Sequence, residues 1–169
     1  MNFIFIGMPG SGKSSMGKVA AKKLHFKLIE CDRLIEQKAG KKLQDIINED
    51  GLQHFRWLEE ETLCSIEAEN AIISTGGSAI YYPKAMEHFK RIGKVIYLYA
   101  SLPCIRERIG DFSKRGVVIA QGQTIEDLYR ERCVLYEKYA DATINCDGSA
   151  YAKFHARIEQ TLRAFIEYC

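Results

Sequence analysis

The sequence predicts an α/β fold, a five-stranded parallel sheet with helices on both faces. Apolar runs alternate with amphipathic segments along the chain, the pattern of strands buried on both sides and joined by crossover helices. The first unit is also marked chemically. Phe3-Ile4-Phe5-Ile6 runs directly into Gly7-Met8-Pro9-Gly10-Ser11-Gly12-Lys13-Ser14, which spells G-x-x-x-x-G-K-S at the start of a helical pattern. Its glycines let successive backbone N–H groups converge on one anion, and the helix N-terminus adds partial positive charge beneath it.

Five strands are expected, at 2–6, 27–31, 71–74, 94–99 and 142–145, each rich in Ile, Val or aromatic residues. Helices are expected at 13–24, 32–39, 42–47, 52–69, 83–91, 102–110, 124–139 and 150–168. Asp32 and Ser101 stand where N-caps belong, and Pro83 suits a first helical turn. The 169 residues fit one domain, 1–169, long enough to bury about two-thirds of the unfolded surface.

Bulk properties exclude several functions. Lys plus Arg number 24 against 22 for Asp plus Glu, a net charge of +2 that provides no field for nucleic acid or an anionic membrane. The six cysteines are scattered without C-x-x-C spacing, so neither a zinc site nor a disulfide framework is indicated. The fold is expected to begin at Met1 with no leader, no run is long enough to span a bilayer, and the expected address is cytoplasmic.

In open parallel sheets, ligands sit at the carboxyl ends of the strands. There, Gly10, Ser11 and Gly12 would cradle the phosphates of a nucleoside triphosphate. Lys13 would reach the terminal phosphates, and Ser14, rather than Ser15, would join the coordination of Mg2+. No acid ends the third or fourth strand, so Glu30 and Asp32 are the candidate carboxylates. Placed two apart on an extended segment, one could serve Mg2+ and the other accept a proton; alternatively they are a strand-end acid and a helix cap. Glu59 could fix the Arg56 fork three residues away, or the two could be an ordinary surface pair. Arg130 and Arg132 share a helix whose other face is Leu128, Val134 and Leu135, with one arginine expected to reach the site. Gly76-Gly77 could admit a substrate to the backbone or simply turn tightly. The polar, glycine-flanked segment 110–116 is a lid candidate. Trp57, the tyrosines and the histidines are expected to pack. Cys31, between the two acids, is a conceivable oxidation switch that its neighbours disfavour.

Together these segments resemble the shikimate kinase family over almost the whole length. Beside the phosphate loop, Glu30-Cys31-Asp32 with Ile35-Glu36, Gly51 with Phe55-Arg56 and Glu59, and Thr75-Gly76-Gly77-Ser78 are similar to its motifs. So are Arg115 in the lid and Glu131-Arg132 followed by Leu135-Tyr136 and Ala140-Asp141. The resemblance implies a three-layer, P-loop nucleoside-kinase-like fold with an acceptor region at about 32–60 and a mobile lid at about 110–122. It implies ATP as donor and a ring hydroxyl of shikimate as acceptor. Asp32 would hold and deprotonate that hydroxyl, and Glu30 would act on Mg2+ through water. Arg56 and Arg132 would bind the carboxylate, with backbone contacts from Gly76-Gly77. Arg115 would neutralise the transferring group, and Arg108 would stack on adenine. A monomer acting on a small molecule is expected, without nucleic acid or membrane.

Five positions depart from the family pattern. Glu30 replaces an Asp, Ser78 a third glycine, Leu52 a Glu, Gly116 the lid proline and Val134 a proline. Ser78, Leu52 and Val134 are expected near the acceptor pocket. The departures keep open another polyol acid such as gluconate, a nucleoside monophosphate, or a nucleotide binder without turnover. No Asn precedes a Lys, so the guanine motif of GTPases is absent.

Overall fold

In the computed structural model the described residues are 1–110, 122–148 and 151–167, of which 151–154 by backbone alone. Strands β1 (Asn2–Ile6), β2 (Lys27–Glu30), β3 (Ala71–Ser74), β4 (Gly93–Tyr99) and β5 (Ala142–Asn145) form one parallel sheet in the order β2-β3-β1-β4-β5. The helices are α1 (Lys13–Leu24), α2 (Cys31–Ala39), α3 (Leu43–Asp45), α4 (Leu52–Cys64), α5 (Pro83–Ile92), α6 (Leu102–Ile109), α7 (Ile125–Tyr139) and α8 (Tyr151–Glu167). The five-stranded sheet with helices on both sides is thus as the sequence predicts. Segment 111–121, with Arg115 and nearly all of the expected lid, lies outside the described residues, as does Cys169.

The register assigns the two faces. Phe3 pairs with Ile72 and Lys94, and its ring lies 6.1 Å from Phe26 and 6.3 Å from Phe165 of α8. Ile6 pairs with Tyr97, whose ring stacks on Tyr136 of α7 at 5.1 Å. Side chains one residue apart on β1 therefore serve opposite layers, and Phe3 to Ile6 have no solvent exposure. A second cluster, Ile35, Ile46, Phe55 and Leu58, joins α2 to α4 and includes Leu52 at its margin.

Three boundaries differ from expectation. The β2–β3 ladder ends at Glu30 opposite Ser74, so α2 starts at Cys31 with Glu30 at the N-cap and Asp32 already in the first turn. The helix expected over 42–47 is one short α-turn continued by a π-helical stretch, Ile46–Asp50, whose end is held by Lys41 at 2.9 Å from both Glu49 and Asp50. Helix α4 stops at Cys64 instead of 69. There the Ser65 hydroxyl donates to the Thr62 carbonyl at 2.9 Å, a local bond that competes with helix continuation, and Asn70 turns left-handed before β3.

Asn2 closes the end of the sheet remote from the phosphate loop. Its amide donates to the carbonyls of Ala68 (2.6 Å) and Ile92 (2.9 Å) and accepts from the Ala71 N–H (3.0 Å), while only 2% of the residue is exposed. Asn2→Ala strands these groups and should lower stability by roughly 2–3 kcal/mol, read as a lower urea midpoint at unchanged m.

Candidate active site

The phosphate loop leaves the central strand between β3 and β4 and enters α1 through Gly12, whose φ of +103° is open to glycine. No capping side chain then competes with an anion for the first-turn amides. Lys13, only 8% exposed, donates its ammonium protons to the carbonyls of Gly7 (2.8 Å) and Met8 (2.9 Å). Burial pulls its pKa down to about 8, with Asp32 opposing the fall and Arg132 adding to it. Ser14 and Ser15 present exposed hydroxyls on the first turn. The Ser11 hydroxyl is buried without a hydrogen-bond partner among the described residues, an unmet polar atom inside a loop built for anions.

Beyond the end of β3, Gly76 and Gly77 admit side chains from three other elements. A Cβ at Gly76 would stand 3.0 Å from Glu59 Oε1 and 3.1 Å from Asp32 Oδ1; one at Gly77 would stand 2.9 Å from both Arg132 Nη1 and Pro9 Cδ. The close approach foreseen for a substrate is thus already used by the protein's own charged groups. Asp32 is exposed, yet the protein around it thins its water and lifts its carboxyl above the ordinary 3.8. Lys13 opposes that rise, and Glu36 and Glu30 add to it.

Glu59 lies on the buried stripe of α4, 1% exposed. It accepts from the Ser78 hydroxyl on both oxygens (2.7 and 2.9 Å) and from the Tyr82 hydroxyl (2.7 Å). Burial raises its carboxyl above 4.5, and the two hydroxyls hold it back. The expected Arg56–Glu59 fork is therefore not formed. Arg56 is exposed and makes no ion pair among the described residues.

A capping box formed by Thr124 and Asp127 fixes the start of α7, and its buried stripe is Leu128, Arg132 and Tyr136, four residues apart. Arg132 is 4% exposed, while Arg130 is exposed. The expected apolar face is corrected at Val134, which is 66% exposed and faces away from the pocket. The departure at Leu52 likewise belongs to the second cluster, and that at Ser78 is spent on Glu59.

Other sequence candidates are placed as follows. Glu30 stands at a helix N-cap, not on an extended pair with Asp32, and its carboxylate meets Arg33 (3.1 Å) and Lys18 (3.9 Å). Arg108 donates to the carbonyls of Gly10 (3.4 Å), Ser11 (3.5 Å) and Cys146 (2.6 Å), tying the phosphate loop to the end of β5. Cys31 is fully buried, and burial first, then Asp32 and Glu59, push its thiol well up, which removes the thiolate that oxidation needs. Trp57 does not pack: it is 58% exposed on α4, its ring 5.7 Å from that of His54.

The tyrosines were underrated. Tyr136 donates to the Gly77 carbonyl at 2.7 Å, Tyr82 holds Glu59, and the Tyr81 ring lies 5.4 Å from the Arg132 guanidinium. Two sequence signals mark this network. Glu59 is the one charged residue on the buried stripe of α4, and three hydroxyl residues follow the Gly-Gly within five positions.

A phosphate loop on a β2-β3-β1-β4-β5 parallel sheet, faced by an aspartate and a buried arginine, defines a small-molecule kinase of the P-loop class. The family model described as shikimate kinase matches residues 9–163, and the chain belongs to the shikimate kinase family. A shikimate kinase from a Sulfurihydrogenibium species is 35% identical over 147 residues, 86% of this chain and 88% of that one. One from Bacillus anthracis is 39% identical over 116 residues, 68% and 70% of the two chains. Among solved structures, the shikimate kinase from Acinetobacter baumannii in complex with shikimate matches with a TM-score of 0.85 at 28% identity, covering 96% of this chain and 93% of that one.

The Lys13 environment gives a signed pH prediction. In the free protein the ammonium is present below about 8 and lost as pH rises through that value. ATP affinity, measured by calorimetry from pH 6 to 10, should fall across that window, and Lys13→Met should remove this step.

Proposed function

We infer that this protein transfers the γ-phosphoryl group of ATP to a ring hydroxyl of shikimate. One observation carries the reading: Asp32 and Arg132 meet at the Gly76-Gly77 turn and Lys13 feels the charge of both, which supports donor charge, proton acceptor and anion site working together. The acceptor oxygen attacks the γ-phosphorus, the bond to the β–γ bridging oxygen breaks, and the hydroxyl proton passes to Asp32 as ADP is released.

In this reading the amides around Gly10, Ser11 and Gly12 hold the phosphates, and Lys13 leaves the loop carbonyls for the donor. Ser15 stands beside them on the same turn, and Arg108, already against the loop, reaches the nucleotide base. Arg56 and Arg132 receive the acceptor carboxylate, with the backbone of Gly76-Gly77 beside it. Arg115 completes the site from the lid. Asp32 keeps its proton affinity because burial raises it while Lys13 limits the rise.

The donor set fits Mg2+. Ser14 offers a hydroxyl and Asp32 a carboxylate, and no cluster of three His, Cys, Asp or Glu exists among the described residues, as suits a cation that takes its remaining ligands from phosphates and water. Glu30 would act on it only through water. When bound, Mg2+ neutralises charge on the β- and γ-phosphates. The enzyme is proposed to work as a cytoplasmic monomer on a small molecule. The described helices include none long and apolar enough to cross a membrane.

A coupled ADP assay against shikimate, gluconate and nucleoside monophosphates tests the substrate; the expected result is shikimate-dependent ADP release. Preference for a neutral or phosphorylated acceptor would refute the carboxylate site. Asp32→Asn should cut kcat by on the order of 10²–10⁴ with ATP binding retained. Arg56→Ala should raise the KM for shikimate about 10- to 100-fold and leave the KM for ATP unchanged.

A further inference from the structure

Each arginine assigned to the acceptor carboxylate has an acid close to it in sequence. Arg56 precedes Glu59 by three residues on α4, and Arg132 follows Glu131 directly on α7. Helical spacing lets Glu59 reach Arg56, whereas Glu131 and Arg132 diverge at the backbone and come near each other only through their long side chains, both of which reach the Tyr81 hydroxyl. Neither ion pair is present among the described residues. A short turn after β3, with its 3-10 core at Ala79–Tyr81, supplies a hydroxyl to each acid.

On one side, Ser78, its single proton shared between both carboxylate oxygens, and Tyr82 donate to Glu59 at 2.7–2.9 Å and hold it inward, away from exposed Arg56. On the other, Tyr81 donates to Glu131 Oε1 at 2.6 Å, while Gln123 donates to Glu131 Oε2 at 3.0 Å. The same Tyr81 oxygen accepts from Arg132 Nε at 3.3 Å, and its ring lies against the guanidinium. Tyr81 therefore stands between an acid and a base that are adjacent in the chain. It also occupies Nε, while Nη1 lies beside Gly77.

We propose that the hydroxyls of Ser78, Tyr81 and Tyr82 are positioning groups that divert Glu59 and Glu131 from Arg56 and Arg132, keeping the anion fork uncommitted for the acceptor. Ser78, which replaces a glycine of the family pattern, is thereby a functional substitution. The inference rests on the shikimate reading above.

Its test is steady-state kinetics with shikimate and ATP on the full chain. Tyr81→Phe keeps the ring and loses the hydroxyl, so Glu131 is released toward Arg132. The KM for shikimate should rise about 5- to 20-fold, with kcat and the KM for ATP within about twofold. Removing the released charge should undo this, so Tyr81→Phe with Glu131→Gln should return the KM to within about twofold of the parent, a rescue that lost packing or a lost contact to substrate would not give. Ser78→Ala should raise the same KM. An unchanged KM in Tyr81→Phe, or equal impairment of the single and double variants, overturns the proposal. A rise for Tyr81→Phe with none for Ser78→Ala overturns its Ser78 half. Absence of shikimate turnover by the parent chain overturns the functional reading and this inference together, whereas parent turnover with an unaltered variant overturns the inference alone.

Discussion

Strand β1 is hydrogen-bonded on both edges and sealed on both faces, and the site depends on that confinement. Because β3 and β4 flank it in parallel, the phosphate loop and the Gly76-Gly77 turn leave neighbouring strands at the same end. Thr75 reinforces the junction, donating to the Phe5 carbonyl through both its N–H (3.2 Å) and its hydroxyl (2.9 Å). The phosphate loop and the Gly76-Gly77 turn are thus held apart by one strand spacing, about 4.8 Å in general. Helices α1, α2, α4 and α7 then need only deliver single side chains to a fixed frame.

Those side chains form a nearly balanced set: Lys13 and Arg132 against Asp32 and Glu59. Burial drives Lys13, Asp32 and Glu59 toward their neutral forms, and the opposite charges around them oppose that drift. Lys13 is bonded to its own loop carbonyls, which satisfy its ammonium within the loop.

The sheet and the loop were legible because both are written locally: β1 as an unbroken apolar run, the loop as glycines at fixed spacing before a helix. Asp32 and Arg132 were legible partly through neighbours in sequence and chiefly through family resemblance. What the sequence hid was partnership across elements. Glu59 looked like a mate for Arg56 because helical spacing permits it, yet the hydroxyls of Ser78 and Tyr82, from 19 and 23 residues away, bond it instead. Val134 looked like core because it is apolar, but the stripe of α7 is set by Leu128, Arg132 and Tyr136, and periodicity cannot tell which arginine a cavity will accept. The early start of α2 came from the point at which β2 runs out of partners on β3, a fact about two strands and not one.

The exposed indole on α4 has an optical consequence. Trp57 is the chain's single tryptophan, adjacent in sequence to Arg56 and beside the His54 ring. Emission excited selectively at the indole band therefore arises from one known place on α4, without contribution from a buried indole. The protein carries its own unlabelled reporter, and a change in solvent around α4 is readable as a shift in colour while the sheet stays spectroscopically silent.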